Sequence, residues 1–187
     1  MMQKALETSY QQILAQLPLT NEGVEKTPTR AAKAMIDLCS GYTMNIAKEV
    51  NGGIFPHPGE TWISVKDIEM CSLCEHHLLP FFGSVFIAYV SNGRILGLSK
   101  LKRVVNIYSR RLQVQERLTD QIAKCIDELV QPKGVIVVVR AIHTCMKMRG
   151  VRERQAETMT VSTLGVFQTD SYLRQAALNE SGLSPRL

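Results

Sequence analysis

Residues 61–90 read TWISVKDIEMCSLCEHHLLPFFGSVFIAYV, and this stretch decides the fold. From Thr61 onward apolar and polar residues alternate with a period of two, the pattern of a half-buried strand. TWISVKDIEM is one such strand and FGSVFIAYV a second, with SLCEHHLLP between them as a turn or short helix. Ser91-Asn92-Gly93 is a tight-turn signal leading into RILGL, so FGSVFIAYV and RILGL are expected to form a hairpin. Further along, GVIVVVRAIHTCMKM and ETMTVSTLGVF supply two more strands. Two helices separate these from the first group. LKRVVNIYSRR begins after Ser99, a suitable cap, and ERLTDQIAKCIDELV carries Leu118, Ile122, Ile126 and Leu129 on one face until Pro132-Lys133-Gly134 ends it.

Upstream, residues 1–17 place Leu6, Tyr10, Leu14 and Leu17 at helical spacing. A second helix is expected from Thr27-Pro28, with Thr27 as N-cap and Pro28 in the first helical position. Its buried stripe is Ala31, Ala32, Met35 and Ile36, with Cys39 one turn further on. Residues 51–60, rich in Gly and Pro, read as a loop. The last twenty residues are mostly polar, with a short helix near 170–178. The sum is an α+β fold, an antiparallel sheet with helices on one side, preceded by an N-terminal helical extension. The expected divisions are 1–50 for the extension, 51–170 for the sheet domain and 171–187 for a C-terminal tail.

With 187 residues, 45% of them hydrophobic, the chain buries enough surface to need no disulfide staples. Its 22 basic and 17 acidic residues leave a net charge of +5, which permits an anionic partner without choosing one. Five cysteines, an odd number, with no signal peptide, point to a cytoplasmic protein with free or metal-bound thiols. No apolar run is long enough for a membrane span.

Chemistry concentrates in Cys71-Ser-Leu-Cys74-Glu75-His76-His77, followed much later by His143 and Cys145. Cys74 and His77 are three apart, so one helical turn points both toward one centre. On an extended strand His143, Cys145, Lys147 and Arg149 would share a face. A zinc ion held by Cys74, His77 and Cys145 would have three protein ligands and one open position, as catalytic sites do. A lone CxxC is often a redox pair or half of a structural zinc site, so taken alone Cys71 and Cys74 are as readily structural as functional, although no second CxxC follows to close a four-ligand site. Ser99, Lys100 and Arg103 open a helix, where backbone donors attract anions. An isolated KxxR is otherwise an ordinary solvated basic face. Lys147 and Arg149 are further candidate cations, and several cations gathered near one metal would suit a triphosphate.

CEHHLLPFFG, GLSKLKRVVNIYSRRLQVQERLTDQIA and HTCMKMRGV resemble, in order and spacing, the signature segments of the GTP cyclohydrolase I family, and TPTRAAKAM is similar to a fourth. The resemblance runs from about Thr27 to Phe167. It implies that residues 51–170 form a catalytic tunnelling-fold (T-fold) domain, assembled as a homodecamer with active sites between subunits. It also implies hydrolysis of GTP to 7,8-dihydroneopterin triphosphate and formate, the first step of pterin and folate biosynthesis. Carried over residue by residue, it makes Cys74, His77 and Cys145 the ligands of Zn2+, and His76 and His143 the catalytic histidines. Cys71 matches no ligand position, and Lys147 no functional one. Ser99, Lys100 and Arg103 match residues at the phosphate and sugar end of GTP, Arg149 another triphosphate contact, and Gln115 and Glu116 those that recognise guanine. Arg30 matches an arginine reaching a neighbouring subunit's site. No regulatory partner protein is assigned by the resemblance.

These roles are chemically coherent. Zinc brings the pKa of a bound water toward neutrality, so that it can attack C8 of guanine. His76 would protonate N7 as the ring opens, and His143 the ribose ring oxygen. Ser99 would assist the following rearrangement of the sugar. The Glu116 carboxylate accepts from both N1–H and the exocyclic amine of guanine, a donor pair that adenine lacks. Two rival readings differ in what they require. A zinc-stabilised nucleic-acid module would need Arg110 and Arg111 and could dispense with Glu116 and His143, but aromatics are only 6% of the chain, few for base stacking. A related T-fold enzyme acting on another purine or pterin would share the glutamate without this Cys/His set.

Overall fold

The computed structural model describes residues 1–19 and 22–182. In chain order the elements are helices α1 (Met2–Leu14), α2 (Thr27–Leu38) and α3 (Ile46–Val50), strands β1 (Ile54–Pro56), β2 (Trp62–Cys74), β3 (Pro80–Val90) and β4 (Arg94–Leu96), then α4 (Leu98–Ser109), β5 (Leu112–Gln113), α5 (Gln115–Val130), β6 (Gly134–His143), α6 (Thr144–Lys147), β7 (Thr158–Gly165), α7 (Val166–Thr169) and α8 (Ser171–Glu180). Five strands form one sheet in the order β5-β2-β3-β6-β7, antiparallel except for the short β2–β5 pairing. The class is α+β.

Several boundaries differ from expectation for identifiable reasons. Lys26, with no side-chain bond, sits at the start of α2, and Thr27 and Pro28 are its first two helical residues; a proline there removes a donor that has no helical partner anyway. Gly97 precedes α4, so Ser99 lies inside the first turn rather than at the cap. Residues 54–56 are not loop but strand β1, which pairs with β4. The expected β3–β4 hairpin therefore does not form. Instead the Leu96 amide donates to the buried Tyr89 hydroxyl (3.0 Å), and the Ser91 hydroxyl accepts from the Thr61 amide (2.9 Å), so the chain after β3 is drawn off the sheet.

Strand β2 runs on through the Cys/His segment as far as Cys74. Its register shifts between Val65 and Ile68, at Lys66-Asp67, where Asp67 has φ 58°. That bulge matters because a strand alternates faces strictly. Val65 and Ile68 are an odd number apart, yet both pack into the same core. The core lies between the sheet and α4 and α5, with Leu101, Val104, Leu118, Ile122 and Ile126 against Val85, Ile87, Val137 and Val139, all buried. Each fully buried aliphatic side chain contributes about 1.5–3 kcal/mol. The opposite face is partly covered by the C-terminal segment: Phe167 and Ala177 pack on Phe86, Ala88, Ile136 and Val138. Trp62 meets Phe167 edge-on at 5.4 Å and donates to Glu180 at the end of α8 (3.0 Å). The short helix expected near 170–178 is thus present and packed; residues 183–187 of the expected tail lie outside the described residues.

Strand β6 stops at His143, short of the expected HTCMKM continuation. Its last partner is Phe81, and the residue before that, Pro80, has no amide to extend a ladder. The Thr144 hydroxyl instead donates to the Pro80 carbonyl (2.6 Å), and the chain turns into α6. No described helix is long and apolar enough to cross a membrane.

Candidate functional site

Cys74 ends β2, and its carbonyl accepts from the amides of both His77 (3.3 Å) and Leu78 (2.9 Å). One tight turn therefore follows the strand, and Leu78, at φ 56°, closes it in the left-handed region that few non-glycine residues enter. The spacing of three does bring the two side chains together, through a turn rather than a helix: Cys74 Sγ lies 3.6 Å from His77 Nδ1. A polar brace holds the turn down. The Glu75 amide donates to the Gln113 carbonyl (3.0 Å) and its carboxylate pairs with Arg117. Arg117 Nε also donates to Gln113 Oε1 (3.1 Å). Gln113 is buried and donates to the Tyr108 carbonyl and to Gln121 (3.0 and 2.8 Å).

The third member arrives from the other side. Because β6 ends at His143, the single-face alternation expected for 143–149 does not apply. Cys145 reaches the cluster from α6, and the donor atoms of Cys74, His77 and Cys145 all lie within 4.8 Å of one another. Lys147 is turned away, donating to the Arg154 carbonyl (2.6 Å). Cys71 is exposed; three residues from Cys74 on one strand, it projects from the opposite face and is no part of the cluster.

Two sulfurs and an imidazole nitrogen are a donor set suited to zinc. Burial, with the neighbouring Cys74 adding to it, raises the Cys145 thiol pKa, and Arg149 opposes this. A divalent cation between the sulfurs would reverse that preference, since metal-bound thiols ionise.

His76 and His143 border the cluster. His76 is exposed, with Nδ1 3.8 Å from Cys74 Sγ and Nε2 3.9 Å from a Glu75 oxygen. His143 stacks on Phe81, its partner across the ladder, at 4.5 Å and 5°. Its Nε2 lies 2.8 Å from Gln115 Oε1. Gln115 is 1% exposed, and its Nε2 donates to the Val139 and Thr158 carbonyls (3.0 Å each) and to Thr160 Oγ1 (3.2 Å). Carbonyls only accept, so the amide has one allowed orientation, and the His143 nitrogen facing its oxygen carries the hydrogen. Burial lowers the His143 pKa, partly offset by Glu116, an exposed residue in the first turn of α5.

The remaining candidates do not all gather here. Arg149 does, close enough for its charge to act on Cys145. Ser99, Lys100 and Arg103 begin α4 elsewhere. Their neighbour Lys102 reaches the Glu69 carbonyl, five residues along β2 from Cys74, about 17 Å at roughly 3.4 Å per residue. Within one chain the start of α4 thus lies apart from the cysteine–histidine cluster. Arg30 is exposed on α2 and makes no hydrogen bond or ion pair to the cluster among the described residues. Sequence reasoning gave no role to Gln113 and Arg117, nor to Glu49, which pairs with Arg103 (3.0 Å). Gln113 and Arg117 bond each other four residues apart, but their hold on Glu75, like that of Glu49 on Arg103, joins elements far apart in sequence, where no local spacing marks it.

The chain matches the family described as GTP cyclohydrolase I over residues 6–181. A protein of Leptospira biflexa named GTP cyclohydrolase 1 is 49% identical over 176 residues, 93% of this chain and 96% of that one. A human protein of the same name is 50% identical over 175 residues, 92% of this chain and 70% of that one. A solved structure titled as an apo archaeosine synthase QueF-Like is more distant, with a TM-score of 0.45 and 20% identity over 58% of this chain and 96% of that one.

Proposed function

The chain belongs to the GTP cyclohydrolase I family, and we propose that it converts GTP and one net water to 7,8-dihydroneopterin triphosphate and formate, with C8 of guanine leaving as the formate carbon. The observation that carries this reading is the convergence of Cys74, His77 and Cys145 on one centre with two further histidines at its border. Zinc is the metal that this donor set favours, and when bound it would supply an activated water.

The chain's own residues do the rest. His76, exposed and beside the cluster, donates a proton to N7 as the imidazole ring of guanine opens. His143, held through Nε2 by Gln115, exchanges its proton at Nδ1 and serves the ribose ring oxygen. The Glu116 carboxylate accepts from N1–H and the 2-amino group of guanine. Arg149 brings positive charge beside the metal, while Ser99, Lys100 and Arg103 hold phosphate and Ser99 assists rearrangement of the opened sugar. Gln115 acts by holding His143, because its own amide is already bonded inside the chain, and leaves guanine recognition to Glu116.

The separation of the α4 cations from the cluster supports a site completed by a second copy of the chain, with Arg30 reaching in from a neighbour, as in a homodecamer. The decisive assay incubates zinc-loaded, assembled protein with GTP and reads neopterin fluorescence after oxidation, with formate measured in parallel. Equal amounts of both are expected. Neither product from protein that contains zinc would sink the reading, and formate alone would move the error to His143 and Ser99.

A further inference from the structure

We propose that Glu49 is an internal counter-anion of the phosphate subsite, a residue that sets how tightly the α4 cations hold a polyphosphate; this rests on assigning Lys100 and Arg103 to the triphosphate. Both basic side chains of the Ser99-Lys100-x-x-Arg103 segment converge on this one residue of α3. Arg103 Nη1 lies 3.0 Å from Glu49 Oε2, and Lys100 Nζ donates to the Glu49 main-chain carbonyl (3.2 Å). The bed beneath Lys100 is fitted to it. A Cβ on Gly53 would fall 2.5–2.6 Å from Lys100 side-chain carbons, and the Gly97 amide donates to the Gly53 carbonyl (2.8 Å), fastening α3's end to the start of α4.

The Glu49 and Arg103 side chains are 29% and 51% exposed. Ion pairs in such wet surroundings add little to folding. The same carboxylate has a larger effect on a ligand. A phosphate oxygen meeting Arg103 comes within several ångströms of Glu49, and two like charges at about 6 Å repel enough to weaken binding roughly three-fold at the dielectric of bulk water and up to about a hundred-fold at that of a protein surface. Glu49 thus keeps Arg103 ion-paired in the free protein, with Lys100 held beside it by the main-chain carbonyl, and its carboxylate opposes the anion that replaces it.

Glu49→Gln retains an acceptor for Arg103 and removes only the charge, and Glu49→Ala removes both. Inorganic tripolyphosphate is titrated by calorimetry into the assembled zinc-loaded protein and each variant, with zinc content checked afterwards and melting temperatures compared. Both variants are expected to bind at least roughly three-fold more tightly at low salt, converging with the parent near 1 M salt, where charges are screened within about 3 Å. Equal or weaker binding by a folded Glu49→Gln protein overturns the proposal while leaving the subsite intact. The subsite has its own check, because Arg103→Ala must weaken binding. If it does not, or if the parent binds no tripolyphosphate, the phosphate assignment falls and the Glu49 proposal with it.

Discussion

Because the two carbonyls facing the Gln115 amide nitrogen can only accept, that side chain has one orientation, and His143 inherits its own from it. Gln115→Met would leave buried acceptors and the His143 N–H without partners, each a loss of about 1–3 kcal/mol. Denaturant unfolding should show a destabilisation of about 3 kcal/mol or more, and kcat should fall while KM for GTP changes little. The neighbouring residues separate by role. His143→Ala should retain the metal and lose roughly 100-fold or more in turnover, whereas Cys145→Ala should lose both, as read by metal content beside product formation. Equal metal loss in the two variants would contradict that division. Cys74 and His77 were legible in the sequence because they stand three apart, and Cys145 because it follows His143 in a second cysteine–histidine segment. Gln115 in its supporting role was not. Its partners, Val139, His143, Thr158 and Thr160, come from β6 and β7, and only the folded register brings them to α5.

At the scale of elements, the period-two and helical patterns named most strands and helices, and the errors came from single residues that redirect the chain. Pro80 ends β6 by withholding a donor. The bulge at Lys66-Asp67 is invisible to an alternation argument, since the pattern on either side of it looks regular. RILGL reads as the return arm of a hairpin, but Tyr89 and β1 claim it. Gly165 is a further redirecting residue: with φ 59° and ψ −133° it precedes α7, in a backbone region essentially reserved for glycine. A Cβ there would lie 2.1 Å from the Lys133 carbonyl oxygen. Gly165→Ala should therefore destabilise the fold by about 3 kcal/mol. Calorimetry should show a melting temperature lower by roughly 6–12 °C.

For the whole molecule, the position of the α4 cations far along β2 from the cluster is the feature that matters most. The sequence brings Lys100 and Arg103 within fifty residues of both cluster strands and gives no hint of that distance, because helix α4 starts at the far end of the sheet and runs back. If a second chain completes each site, two inactive variants should repair one another. Cys145→Ala and Arg103→Ala proteins, dissociated together and reassembled, should regain a measurable fraction of parental turnover. A mixture that stays as inactive as its components, although reassembled, would place both residue sets in the same chain's site.

Trp62 is the chain's one tryptophan, and its setting makes it a selective optical probe. Lodged between Phe167 and the Glu180 carboxylate, its indole senses whether the C-terminal segment is seated on the sheet. It stands at the opposite end of β2 from Cys74. Intrinsic emission should shift to the red when α8 lifts and stay silent while metal enters or leaves, so fluorescence and metal content measured together would distinguish loosening of the scaffold from emptying of the site.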